Sequence, residues 1–173
     1  MKFTIFALIL FFLSNICLCQ EPKNVINQLP DNSVYIELFG NSFLYGSINY
    51  ERIIFHQKSN YLSGRIGAGF DYYEGTNIFS TPVIFNYIYN IHKDISFEVG
   101  MGTTIVMQYV KNSSENLIIP LLTGNVGIRI QSATGFIFRF GVTPFINFSD
   151  DHPSRFDSFF MPWIGITFGY SFK

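Results

Sequence analysis

Hydrophobic and polar residues alternate along most of this chain with a period of two rather than 3.6, which predicts strands. Eight runs stand out, at Ser33–Gly40, Phe43–Phe55, Tyr61–Tyr72, Thr81–Ile91, Ile95–Val110, Leu117–Gln131, Gly135–Phe148 and Phe159–Phe172. In the third, Leu62, Gly64, Ile66, Ala68 and Phe70 share one face, and Ser63, Arg65, Gly67, Gly69 and Asp71 share the other. The fifth sets Ile95, Phe97, Val99, Met101, Thr103 and Ile105 against Ser96, Glu98, Gly100, Gly102 and Thr104. In the sixth, Leu122, Val126, Ile128 and Ile130 oppose Thr123, Asn125, Arg129 and Gln131, and the last run alternates in the same way from Ile164 to Phe172. The fourth is ambiguous, because Ile84 and Ile88 interrupt the face that carries Asn86 and Asn90.

The connections differ in length. Asn90–Asp94, Gln131–Gly135 and the first turn near Gly40–Ser42 read as short, and Phe55–Tyr61 as moderate. Tyr73–Ser80, Lys111–Asn116 and Ser149–Ser158 read as longer polar loops. Short turns at one end and longer loops at the other fit an all-β, antiparallel, eight-stranded up-and-down transmembrane β-barrel. No stretch reads as a membrane helix, since the longest charge-free one, Gly75 to His92, holds Pro82 and leans to alternation.

Composition supports this picture. The chain has 173 residues, 13% of them charged, with a net charge of −1, and 21 are Phe. Soluble domains carry about 25% charged residues. Such a chain is too hydrophobic for disorder and lacks the basic excess of a nucleic-acid binder, so no nucleic-acid partner is expected.

Residues 1–19 are expected to be a cleaved signal peptide. Lys2 gives a positive start, Phe3 to Leu13 is apolar apart from Thr4, and Cys17-Leu18-Cys19 offers a small-x-small cleavage pattern. Ile16 and Leu18 precede the two cysteines where a lipid-modification site would place a small residue. Cleavage would remove both cysteines, and with them any disulfide, thiolate metal site or cysteine nucleophile. It would also remove Lys2 from the 11 basic residues, leaving a net charge of about −2 against 12 acidic ones. Residues 20–32 then read as a short polar periplasmic linker, and 33–173 as the barrel.

The polar stripe is mostly Gly, Ser, Thr and Asn. Its charges are Glu37, Glu51, Glu98, Arg65, Arg129 and Arg139, with Asp71 near a strand end. Three Glu against three Arg suit a closed interior in which charges pair, since a buried unpaired charge costs several kcal/mol. The apolar stripe is then the one that faces lipid. Glycines on the inner face leave room for long Arg and Glu in a barrel just wide enough for side chains to fill. Aromatics near the run ends, including Tyr45, Tyr72, Tyr73, Tyr109, Phe159, Phe160 and Trp163 at one level, read as an interfacial girdle. Tyr50, Tyr61, Tyr87, Tyr89, Tyr170 and Phe172 form its counterpart at the other level.

The ending Gly169-Tyr170-Ser171-Phe172-Lys173 resembles the C-terminal assembly signal of Gram-negative outer-membrane barrels, with Gly169, Tyr170 and Phe172 as its elements. Together with the eight runs, it makes the chain similar to the small OmpA-type, OmpX-type and OmpW-type barrels. The resemblance implies the outer membrane of a Gram-negative bacterium, with contacts to outer-membrane lipid, lipopolysaccharide and the barrel-assembly machinery. It carries no catalytic residue across.

Candidate chemistry is sparse. Glycines at 64, 67, 69, 100 and 102 lie within strands, without the following helix of a phosphate loop. His56, His92 and His152 lack ligand spacing, so no metal and no cofactor is expected. His152, Ser154 and Asp157 faintly resemble the catalytic residues of lipid A deacylases, but they sit in an Asp-Asp-His-Pro-Ser turn. The expectation is a non-enzymatic barrel with a structural or surface-interaction role, its lumen plugged by Glu/Arg pairs. The alternatives are a narrow channel for small or apolar solutes, a lipid A-modifying enzyme, and a soluble lipocalin-like carrier.

Overall fold

The structure, a computed structural model, describes residues 30–42, 46–57, 59–73, 75–110, 116–132, 134–147 and 160–173. The expected signal peptide, most of the expected linker, the expected Lys111–Asn116 loop up to residue 115, and all of Ser149–Ser158 lie outside them.

Ten strand segments follow one another: β1 Asn32–Leu38, β2 Ser47–Gln57, β3 Asn60–Tyr73, β4 Thr76–His92, β5 Ile95–Val110, β6 Asn116–Gln131, β7 Phe136–Val142, β8 Phe145–Ile146, β9 Phe160–Met161 and β10 Ile164–Phe172. Each of β1 to β6 pairs antiparallel with the next, β6 pairs with both β7 and β8, β7 pairs with β10, β8 with β9, and β10 with β1. The sheet thus closes into a barrel of eight staves, with β7–β8 and β9–β10 each forming one stave. Closure leaves no free sheet edge around the middle of the wall.

Prolines account for the two broken staves, which the alternation had suggested were continuous. Val142 pairs with Ile164 and Phe145 with Met161, so the same register sets Pro144 opposite Pro162. Proline has no N–H to donate to a ladder. Gly124 N–H donates to the Pro144 carbonyl at 3.0 Å, a bond that Pro144 cannot return.

Three connections differ from expectation. Tyr73–Ser80 is not a long loop: β3 runs to Tyr73 and β4 starts at Thr76. Gly75 takes φ +82°, which permits the sharp reversal. The polar residues beyond it are held in strand by partners across the hairpin, such as Asn77 opposite Tyr72 and Ser80 opposite Gly69. The Phe55–Tyr61 link is likewise tight, with β2 ending at Gln57 and β3 starting at Asn60. The first connection is longer than expected and turns into the barrel.

Burial assigns the faces. Ile66 and Val99 are 53% and 41% exposed, whereas Arg65 and Glu98 are 2% and Arg129 is 0%. The apolar stripe is therefore outside and the polar stripe inside. Ile84 and Ile88 settle the ambiguous fourth run by facing inward alongside Asn86 and Asn90. A bulge between Ile53 and Phe55 turns both Ile54 and Phe55 outward. Tyr61 and Trp163 leave the expected girdles. Tyr61 shares the inner face with Ser63 and Arg65, and Trp163 packs on the inner cluster at the loop end.

Candidate functional site

The middle of the lumen holds six charges brought from six strands. Arg129 on β6 places Nη1 3.0 Å from Glu51 Oε2 on β2 and 3.1 Å from Glu98 Oε2 on β5. Arg139 on β7 pairs with Glu98 through Nη2, and its Nη1 lies 3.8 Å from Glu51 Oε2. Arg65 on β3 pairs with Glu37 on β1. Register alone would not give these partners. Arg129 stands directly opposite Arg139, a like-charge arrangement that disfavours pairing. Their guanidinium groups instead converge on the same two carboxylates, Glu98 on the strand beside β6 and Glu51 across the lumen on β2. Glu98 can serve both because Gly127 stands opposite it and adds no bulk.

Neutral groups complete the layer. Asn86 Nδ2 donates to Glu51 Oε1 at 3.0 Å, and Asn125 Nδ2 to Glu98 Oε1 at 2.7 Å. Ser63 Oγ also donates to Glu51. Arg65 Nε donates to Asn49 Oδ1 at 3.1 Å, and Arg129 Nε to Gln131 Oε1 at 2.9 Å. Tyr35 lies between two cations, its ring centroid 5.6 Å from the Arg65 guanidinium and 5.1 Å from that of Arg139. Arg139 Nη1 also donates to the Tyr35 hydroxyl at 2.6 Å. Inward glycines make these approaches possible. A Cβ on Gly100 would run into the amide oxygens of both Asn86 and Asn125.

Above this layer the β1–β2 connection enters the lumen. Phe39 sits at φ 64°, rare for a residue with a side chain, and the Gly40 N–H donates to the Leu38 carbonyl across it at 3.0 Å. That tight reversal leaves Phe39 outside and sends Gly40, Asn41 and Ser42 inside, all buried. Asn41 N–H donates to Glu37 Oε2 at 3.1 Å. Its carbonyl accepts from Thr104 Oγ1 at 2.9 Å, and the Ser42 carbonyl accepts from Ser80 Oγ at 2.7 Å. With its amide turned to satisfy both ends, Asn41 donates to Thr123 Oγ1 at 2.7 Å and to the Gly124 carbonyl at 3.0 Å, and accepts from Arg65 Nη1 at 3.2 Å. The Gly124 carbonyl is available because Pro144 has no N–H to offer it. This strap touches β1, β3, β4, β5 and β6, and so crosses the lumen.

Towards the loop end the inner face turns apolar. Ile78, Val106, Ile119, Leu121 and Phe145 form a buried cluster, with Leu117, Met161 and Trp163 packed against it. A smaller cluster of Ile53, Tyr61 and Ile88 lies nearer the short turns.

Among the candidate residues, Glu37, Glu51, Arg65, Glu98, Arg129 and Arg139 come together as described. Asp71 is buried on the same face nearer the loops. Gly169, Tyr170 and Phe172 lie on β10, with both rings outward and Gly169 opposite Tyr35. His152, Ser154 and Asp157 lie outside the described residues. His56 is on β2, 3.2 Å from Asp31. Among the described residues no group of three His, Cys, Asp or Glu is placed to hold a metal ion. Tyr35, Asn49 and Asn125 are not singled out by the sequence as site residues, although each has the strand parity of a charged neighbour, and Asn86 lies on a strand without charges. Nothing in the sequence marks Asn41, which reads as an ordinary turn residue.

No family model and no curated relative matches the sequence. Solved structures do match, two small barrels among them. The N-terminal β-barrel domain of Pseudomonas aeruginosa OprF aligns with a TM-score of 0.52 and 15% identity, over 83% of this chain and 100% of that one. Ail, the attachment invasion locus protein of Yersinia pestis, aligns with a TM-score of 0.53 and 12% identity, over 84% of this chain and 100% of that one. This chain has the fold of the small eight-stranded outer-membrane barrels. At such low identity the likeness extends to architecture alone. The residues that fill this barrel are therefore read from its own geometry.

Proposed function

We propose that the protein is a small outer-membrane barrel of a Gram-negative bacterium with a structural or surface-interaction role, a closed lumen and no enzymatic activity. The observation that carries this reading is the inverted burial, with large apolar side chains outside and three Arg and three Glu sealed within. In water that outer face would be an aggregation surface, whereas in hydrocarbon it is favourable. The soluble-carrier alternative needs the opposite assignment of faces. Belt height agrees too. On β4 the outward rings of Tyr89 and Phe79 stand about ten residues apart, close to the 9–11 residues of a membrane-spanning strand. Phe79 continues into Phe70 and Tyr109, with ring centroids 5.1 and 5.8 Å away. At the other level the Tyr50 hydroxyl donates to Asn32 at 2.7 Å.

The ionic layer and the strap across it support a plugged lumen over a channel. Outer-membrane lipid and lipopolysaccharide are the neighbours this belt suits, and the outward Tyr170 and Phe172 suit recognition by the barrel-assembly machinery. Recovery in the outer-membrane fraction with heat-modifiable gel mobility, and no steady conductance in planar bilayers, are the expected results. Recovery in the soluble periplasm would overturn the reading. Val99→Arg, on the lipid face, should cost about 2–4 kcal/mol if that position lies near the bilayer midplane. A variant as stable as the parent in vesicles would remove Val99 from the bilayer.

A further inference from the structure

Three inward glycines form a continuous row across adjacent strands, since Gly127 pairs with Gly141 and Gly141 with Gly165. The row leaves a trough in the lumen wall below the strap. A void of about 20 Å³, measured as the space open to the centre of a water molecule, lies in the trough. Glu37, Glu98, Asn125, Arg139, Thr143 and Thr167 line it. Two of these carry polar atoms left without a hydrogen bond, Thr143 Oγ1 and Asn125 Oδ1, on residues only 3% and 6% exposed. Asn125 turns its Oδ1 over Gly100, away from Thr143, while its Nδ2 donates to Glu98 at 2.7 Å.

Of the two orphan atoms, Thr143 Oγ1 is the one this trough can serve. The β6–β7 and β6–β8 registers continue one another through the break, which sets Thr143 opposite Asn125 on the inner face. Directly opposed residues bring their Cβ atoms to about 5 Å. The Glu37 carboxyl group approaches the same space, because a Cβ built on Gly165 would stand 3.6 Å from Glu37 Oε1 and 3.5 Å from Thr143 Cγ2. A buried polar group without a partner costs about 1–3 kcal/mol. A space of about 10–15 Å³ on this measure holds one water, and a buried water needs two to four polar partners. The space admits one water, and Thr143 and the Glu37 and Glu98 residues that border it supply polar partners.

We propose that this trough is a binding site for an ordered water, which donates to the Glu37 or Glu98 carboxylate and bonds to Thr143 Oγ1. The Arg65–Glu37 pair and the Arg139–Glu98 pair both border the void. The water therefore joins two ion-pair clusters that also meet at Tyr35. A cation is disfavoured as occupant, because the Arg139 guanidinium lines the same space.

The test is a crystal structure of the full barrel at a resolution that shows ordered solvent. A single density peak about 2.6–3.2 Å from Thr143 Oγ1 and from one of the two carboxylates is expected. An empty void overturns the proposal, as does a Thr143 hydroxyl bonded directly to protein. Ligand distances of about 2.3–2.6 Å would identify a metal cation, and would overturn it as well. Two variants keep the assignment falsifiable. Gly165→Ser supplies a hydroxyl in the trough at the cost of a tight 3.0 Å approach of its Cβ to the Gly40 Cα, and the peak should vanish while that hydroxyl takes over its bonds. Thr143→Val keeps the shape and removes the donor, and the peak should lose at least half its occupancy. An unchanged peak in either variant would show that these residues do not hold the water.

Discussion

The lumen is filled in two ways. Its middle is a layer of charges and amides in which every side chain needs specific partners. Its loop end is a cluster of Ile78, Val106, Ile119, Leu121 and Phe145, which need only to touch one another. The first region depends on direction: Arg129 must reach two carboxylates from two different strands, and those carboxylates must be shared with Arg139. The second depends on volume. Opposite chemistry thus closes the same narrow barrel at two heights, and the two heights should fail differently when altered.

The largest expected effect separates them first. Arg129→Ala leaves Glu51 and Glu98 with Arg139 alone and should cost about 3–5 kcal/mol, the usual penalty for breaking a buried ion pair. Urea unfolding in vesicles, followed through the single Trp163, would measure it, and a loss below about 1 kcal/mol would mean that the layer is not held by these pairs. Leu121→Ala cuts into the apolar cluster and should cost about 2–5 kcal/mol, the range for a cavity left by a large aliphatic side chain. Its unfolding midpoint should be insensitive to salt, and a strong salt dependence would show that the two heights are coupled. Gly100→Ala probes how tightly the ionic layer is packed. Its methyl group would push on the Asn86 and Asn125 amides, so about 1–3 kcal/mol should be lost to overpacking. The smallest change is expected outside the lumen. Tyr50→Phe removes one exposed hydrogen bond to Asn32, and a midpoint shift worth more than about 1 kcal/mol would argue that this contact is not a surface one.

The same contrast explains what could be read from the chain. In the middle the two faces differ in kind, as Glu98 does from Val99 or Arg65 from Ile66, so a period of two is visible and the inside can be named. At the loop end both faces are apolar, because Leu117-Ile118-Ile119-Pro120-Leu121-Leu122 meets the inner cluster on one side and the exterior on the other. Alternation vanishes there, and Ile119 and Leu121 could not be assigned. Which Arg meets which Glu was equally hidden. Register sets Glu51 beside Arg65, yet Arg65 turns to Glu37, because side-chain reach across a closed barrel is not a nearest-neighbour property. The paired breaks at Pro144 and Pro162 were legible only as two prolines, since their meeting depends on register.

The inward strap has a practical corollary for anyone grafting a peptide tag or an epitope onto this scaffold. An insertion between β3 and β4 at Gly75 would extend a simple hairpin. One placed between Phe39 and Ser42 would pull the strap away from five strands and strip Glu37 of the Asn41 N–H. The rim position that looked shortest on paper is the one to leave untouched.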